Sequence, residues 1–184
     1  MRKLLPAAVL ALVALGSEVA SAQSPMTFKP SVFGSVVVPT GDAGTAFNTG
    51  FMAGAAADVG LSMPVSWRAE ASYARFALKN DGAGTTGSSS DVSGRINAVF
   101  SLPSMGVSPY IIGGGGLYHV MASVTSPTLG SADVSSNRFG WNVGAGIDMQ
   151  VASIPARIEA RYHSVSMDGG GKYTYMPITF GIRF

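Results

Sequence analysis

The chain has no cysteine, and charged side chains make up only 12% of its 184 residues. Without cysteine there is no disulfide framework, so stability must come from packing and backbone pairing. Blocks of like charge are also missing, and the formal net charge is +2; nothing here marks a nucleic-acid-binding surface. Long hydrophobic runs are short supply too: the longest, Leu4 to Leu15, covers about a dozen residues where a membrane-spanning helix needs roughly 20. No apolar period of 3.6 recurs. Yet 47% of the chain is hydrophobic and 24 residues are glycine, an unusually apolar balance for a single domain of this length.

The first residues account for part of that balance. Arg2 and Lys3 precede the apolar run, and Ala20-Ser21-Ala22 closes it as a small-x-small site. This is the pattern of a secretory signal peptide over residues 1–22, leaving 23–184 as one exported domain. Removal takes away Arg2, Lys3 and Glu18, which lowers the net charge by one.

In the remainder the recurring period is 2, the mark of strands with two unlike faces. From Arg138 to Gln150, Phe139, Trp141, Val143, Ala145, Ile147 and Met149 alternate with polar residues and glycine. The same split recurs over Phe51 to Met63, Ser66 to Tyr73, Val92 to Leu102 and Ala156 to Ser164. Tyr110, Ile112, Gly114, Gly116 and Tyr118 line one face of another strand; Phe28 to Val38 and Tyr173 to Phe184 complete eight. The links between strands alternate in kind. Short ones at Met63-Pro64-Val65, Pro103 to Val107 and Ala152 to Pro155 contrast with polar ones at Thr40 to Thr49, Ala77 to Asp91, Ser123 to Asn137 and Met167 to Lys172. Short turns at one end and longer polar loops at the other predict an all-β fold, an eight-stranded antiparallel up-and-down transmembrane β-barrel with both termini at the short-turn end.

Alternation alone does not say which face points outward, but the charges do. The polar face carries Asp58, Arg68, Glu70, Arg95, Asp148, Arg157, Glu159, Arg161 and Arg183. Turned outward they would leave a bulky aromatic interior; turned inward they form an ion-pair network that fills a narrow lumen. The second arrangement sets Trp67, Tyr73, Tyr110, Tyr118, Phe139, Trp141, Tyr162 and Phe180 as lipid-interface aromatics around small Ala, Val and Gly.

Here the chain resembles the small eight-stranded outer-membrane barrels, the group of the OmpA membrane domain, OmpX and the opacity-type adhesins. The residues that carry the likeness are "FGIRF" at the end, "FGWNVGAGIDM" at 139–149, "ARIEARYHSV" at 156–165 and "SPYIIGGGGLY" at 108–118. The resemblance implies a place in the outer membrane of a Gram-negative bacterium, with both termini periplasmic. It implies contact with outer-membrane lipids and lipopolysaccharide, a monomeric state, and an assembly signal in Phe180, Ile182 and Phe184 read by the barrel-assembly machinery. Pro177 departs from the pattern of a closing strand, because it withholds a ladder donor, and predicts a bulge or a bent register.

Candidate chemistry is thin. His163 with Ser164 and Ser166, near Glu159 and Asp168, invites comparison with barrels that deacylate lipid A. A base and nucleophile on one strand face need spacing i, i+2, however, and that position is Val165; a polar histidine at the rim is expected instead. His119 and His163 could both face the upper lumen, two ligands where zinc needs three or four. The Gly113 to Gly116 run opens no helix and cradles no phosphate; in a strand it makes room for bulky neighbours. No catalytic, cofactor or metal site is expected. The expected function is non-enzymatic, envelope structure or surface contact through the loops, with a lipid-modifying enzyme or a small channel as alternatives.

Overall fold

The structure, a computed structural model, describes residues 27–62, 64–79, 85–102, 106–126 and 130–184. The signal peptide expected over 1–22 lies outside the described residues, as do Met63 and Pro103 of the expected short turns. Eight strands follow in order: β1 (Thr27–Thr40), β2 (Gly50–Ser62), β3 (Val65–Ala77), β4 (Thr86–Ser101), β5 (Val107–Ser126), β6 (Gly130–Val151), β7 (Ile154–Ser166) and β8 (Lys172–Arg183). Each pairs antiparallel with the next, and β8 returns to β1 to close the barrel. Closure runs from Ser31 opposite Arg183 to Thr40 opposite Thr174, and Phe184 donates its N–H to the Pro30 carbonyl at 2.9 Å. The terminal alternation of the sequence is thus the seam, and closure leaves no free edge around the body of the barrel.

At the loop end the strands run past their expected ends. Ser88, Ser89 and Ser90 of the expected β3–β4 loop, and Ser123 to Ser126 with Gly130 to Asn137 of the expected β5–β6 loop, belong to strands. Polar Ser, Thr and Asp composition imitates a loop, but β4, β5 and β6 pair with one another and need no buried face to remain a sheet. A short helix, α1 (Gly41–Ala46), occupies the β1–β2 link, and a 3-10 turn (Asp168–Gly170) the β7–β8 link.

At the other end, β6 and β7 meet in a two-residue hairpin. Ala152 (φ 49°) and Ser153 (φ 71°) both take left-handed backbone, the geometry that favours Asn-Gly. Holding L-residues there costs roughly 1–2 kcal/mol each. Ala152→Asn with Ser153→Gly is therefore expected to stabilise the barrel by about 1 kcal/mol, read from urea titration of refolded protein.

Pro177 makes no bulge. Ala160 opposite Ile178 and His163 opposite Tyr175 keep one register. The ladder is merely interrupted between them, opposite Arg161 and Tyr162, where proline has no N–H to give.

Candidate functional site

The outer face is a belt of exposed apolar side chains. Val32, Val36, Ile96, Ile111, Val143, Ile158 and Ile178 project from it, with Ala and Gly between them. Aromatics gather toward its two ends. Phe28, Trp67, Phe100 and Phe180 project near the short-turn end; near the loop end Phe139 projects, Phe51 packs on Tyr73 at 6.2 Å between centroids, and Trp141 packs on Tyr162 at 5.7 Å. A soluble fold would bury such a surface; a bilayer covers it.

Inside, the charges join into one chain of contacts. Arg157 reaches Asp58 at 3.1 Å, Asp58 accepts from Arg68 at 2.5 Å, and Arg68 donates to Glu159 at 3.0 Å. Glu159 also accepts from Arg161, which donates to Glu70 at 2.7 Å, and Glu70 accepts from Arg95 at 3.2 Å. Asn97 donates to Glu70 at 3.2 Å, and Asn142 donates to Asn97 at 2.9 Å. All of these side chains are buried. Asp148 and Arg183 form a separate pair at 2.8 Å, partly exposed.

Tyr110 and Tyr118 must be moved from the lipid face to the lumen. Both are buried, Tyr118 completely, while Ile111 and Leu117 take the outward places on β5. Both rows of this strand are apolar or glycine, so its alternation carries no direction. Space decides it. A Cβ on Gly146 would lie 2.5 Å from the Tyr110 ring, and one on Gly140 2.7 Å from the Tyr118 ring. The rings thus lie over glycines of β6, and the hydroxyls find partners: Tyr110 donates to Glu159 at 2.8 Å, and Tyr118 meets His163 Nδ1 at 3.0 Å. Arg95 over Gly116 and Arg161 over Gly144 repeat the arrangement. Gly146→Val is expected to cost about 1–3 kcal/mol through overpacking, seen as a lower midpoint in urea; Gly34→Val, where a Cβ meets nothing within 4 Å, should cost far less.

Above the network the lumen turns aromatic and apolar. His163 stacks on Tyr175 at 4.8 Å between centroids, and Phe76, Tyr173, Val37, Val120 and Val165 pack beyond them. The α1 residue Ala43 and the following Phe47 lie against this layer. Phe47 meets Tyr173 edge-on at 6.1 Å. Main-chain bonds from Asn48 to Ala77 and from Lys79 to Ala46, each under 3 Å, fasten the cap.

His163 is therefore a fully buried lumen residue, not a rim histidine. His119 points outward and bonds to Asn137, so the two histidines do not share the lumen. Among the described residues no three His, Cys, Asp or Glu side chains come together as a metal would require. Asp91, expected in a loop, is instead a buried lumen residue of β4 whose carboxylate accepts no hydrogen bond. The run Ser89, Asp91, Ser93, Arg95, Asn97 would have revealed it, since it continues the polar row backward by twos. At the exposed loop end, Arg138 pairs with both carboxylate oxygens of Asp168 and holds that carboxyl below its usual range.

A closed strand ring with an apolar exterior and a charged, filled interior defines a transmembrane β-barrel. Residues 7–184 match the outer membrane protein beta-barrel domain family, to which the chain belongs. No curated protein sequence matches the chain significantly. Among solved structures it is similar to Neisserial surface protein A (TM-score 0.61, 18% identity, 86% of this chain and 97% of that one). It is also similar to a major outer membrane protein of Thermus thermophilus (0.58, 11%, 86% and 99%) and to OprG of Pseudomonas aeruginosa (0.51, 12%, 89% and 99%).

Proposed function

We propose that this barrel is non-enzymatic and acts by surface contact through its loop-end sheet, which faces outward from a Gram-negative cell while both termini lie in the periplasm. The observation that carries the reading is an open edge. β6 is 22 residues long and β5 is 20, about twice the 9–11 residues a tilted spanning strand needs. β7 pairs with β6 only from Gly140 onward toward the short-turn end. Gly130 to Phe139 are held on one side by β5, and on their other side no strand of the described residues pairs with their backbone donors and acceptors. An exposed edge of this kind is a template for a partner's strand.

The sealed lumen supports the same reading against its rivals. A channel would have to pass the ion-pair layer and the aromatic layer capped by Phe47. A deacylase would need His163 and a serine together at the surface, but His163 is buried and Ser164 points to the opposite face of its strand. The test replaces residues 123–133 by Asn-Gly, joining Ala122 to Val134 through a tight turn. Cells carrying the trimmed barrel should lose adhesion and autoaggregation while the protein stays folded. Unchanged contact, or discrete conductance of the intact protein in planar bilayers, would sink the proposal.

A further inference from the structure

Within the charged layer lies a small cavity of about 10 Å³. That is room for one occupant of about a water's size. Four arginines border it, Arg68, Arg95, Arg157 and Arg161, together with His163 and Pro177. Among the described residues, the acidic ones that border it are Glu70 and Glu159. Adding Asp58, which pairs with Arg68 and Arg157 from outside the cavity, the connected network still has four positive groups against three negative. The fourth buried lumen carboxylate, Asp91, brings the count to four against four, but it neither borders the cavity nor accepts a hydrogen bond from any guanidinium.

His163 supplies a second and independent pointer. Its ring is fixed by stacking on Tyr175 and by the bond between Nδ1 and Tyr118. Nε2 is buried and has no partner, although a buried polar nitrogen left unpaired is costly. When the Tyr118 hydroxyl donates to Nδ1, Nε2 carries the hydrogen and becomes a donor. Pro177 adds nothing to satisfy an occupant, but the ladder gap it makes opposite Arg161 and Tyr162 lies at this level of the wall. A site bordered by four arginines and two carboxylates, rich in N–H donors and with space for a single small particle, suits a monovalent anion better than water. Chloride, somewhat larger than a water molecule, is the common inorganic ion of that charge.

We propose that the lumen binds one small monovalent anion, chloride in ordinary surroundings, held by His163 Nε2 and the arginines around it as an integral part of the ion-pair layer. The anion would be enclosed at folding, so the test begins from urea-denatured protein. Refolding in sodium bromide and measuring anomalous diffraction at the bromine edge should give one strong peak in the cavity, beside His163. A companion measurement follows the unfolding midpoint in detergent. It should climb with the logarithm of chloride or bromide concentration, as binding to the folded state alone requires, and stay flat when gluconate replaces halide at matched ionic strength. His163→Phe keeps the stacked ring but loses Nε2, and should fold with a much weaker halide dependence. Density in the cavity without a bromide signal would identify water and overturn the proposal. Equal midpoints in halide and gluconate for the native protein would overturn it as well, whether or not the variant folds.

Discussion

Replacing Glu70 with alanine is expected to destabilise the barrel by about 3–5 kcal/mol, the cost of leaving buried charges without their partner. Glu70 Oε2 accepts from Arg161 at 2.7 Å, from Arg95 at 3.2 Å and from Asn97 at 3.2 Å, and Oε1 accepts from Arg161 at 2.9 Å. Truncation would strand the Arg95 guanidinium apart from its bond to Ser93 and leave Arg161 with Glu159 and Asn142. Glu70→Gln keeps an acceptor oxygen and much of the volume, so its loss should be smaller. Asp148→Asn touches only the partly exposed pair with Arg183, and should shift stability by less than about 1 kcal/mol. Urea titrations of the three variants refolded into lipid vesicles would show this order. Equal effects at Glu70 and Asp148 would mean that the interior is wet and the network is not a connected layer.

A second large effect is expected on the outer face. Val143→Arg places a charge inside the apolar belt of β6, one outward position from Trp141, where about 1–3 kcal/mol should be lost in a bilayer. Val134→Arg, on the same strand but in the protruding part, should change stability by no more than about 0.5 kcal/mol. Val143 and Val134 are 51% and 67% exposed, so accessibility alone would predict similar tolerance. Only the surroundings of the two positions differ. Comparable losses at both, or at neither, would argue that the exposed apolar belt does not mark the depth of the membrane.

Most of the architecture was legible in the sequence because a barrel wall with unlike surroundings on its two sides writes its face assignment residue by residue. Trp67 against Arg68, or Val143 against Asn142, is enough to orient a strand. Legibility failed where both rows were apolar. On β5, Tyr110 and Tyr118 alternate with Ile111 and Leu117 across a glycine run, and their direction is set by glycines on the neighbouring strand, a pairing that no single segment displays. It failed again at the loop end, where polar composition hid the extensions of β4, β5 and β6, and so concealed Asp91 and the open edge of β6. The connections within the lumen were legible in composition but not in partner: Arg68 meets Glu159 across the barrel interior, 91 residues away, and only closure of the ring brings them together. The apolar cap over the mouth depends on α1, whose six residues carry too little periodicity to announce a helix.

Everything above depends on this chain closing into a lipid-embedded barrel with its charges inside. The most direct test is gel mobility of the protein extracted from separated inner and outer membranes, loaded in detergent with and without boiling. The closed barrel predicts recovery in the outer membrane and a compact band that shifts to a different mobility on boiling, with Glu70→Ala shifting at a lower temperature than the native chain. A single unshifted band, released in the aqueous periplasmic fraction, would contradict it.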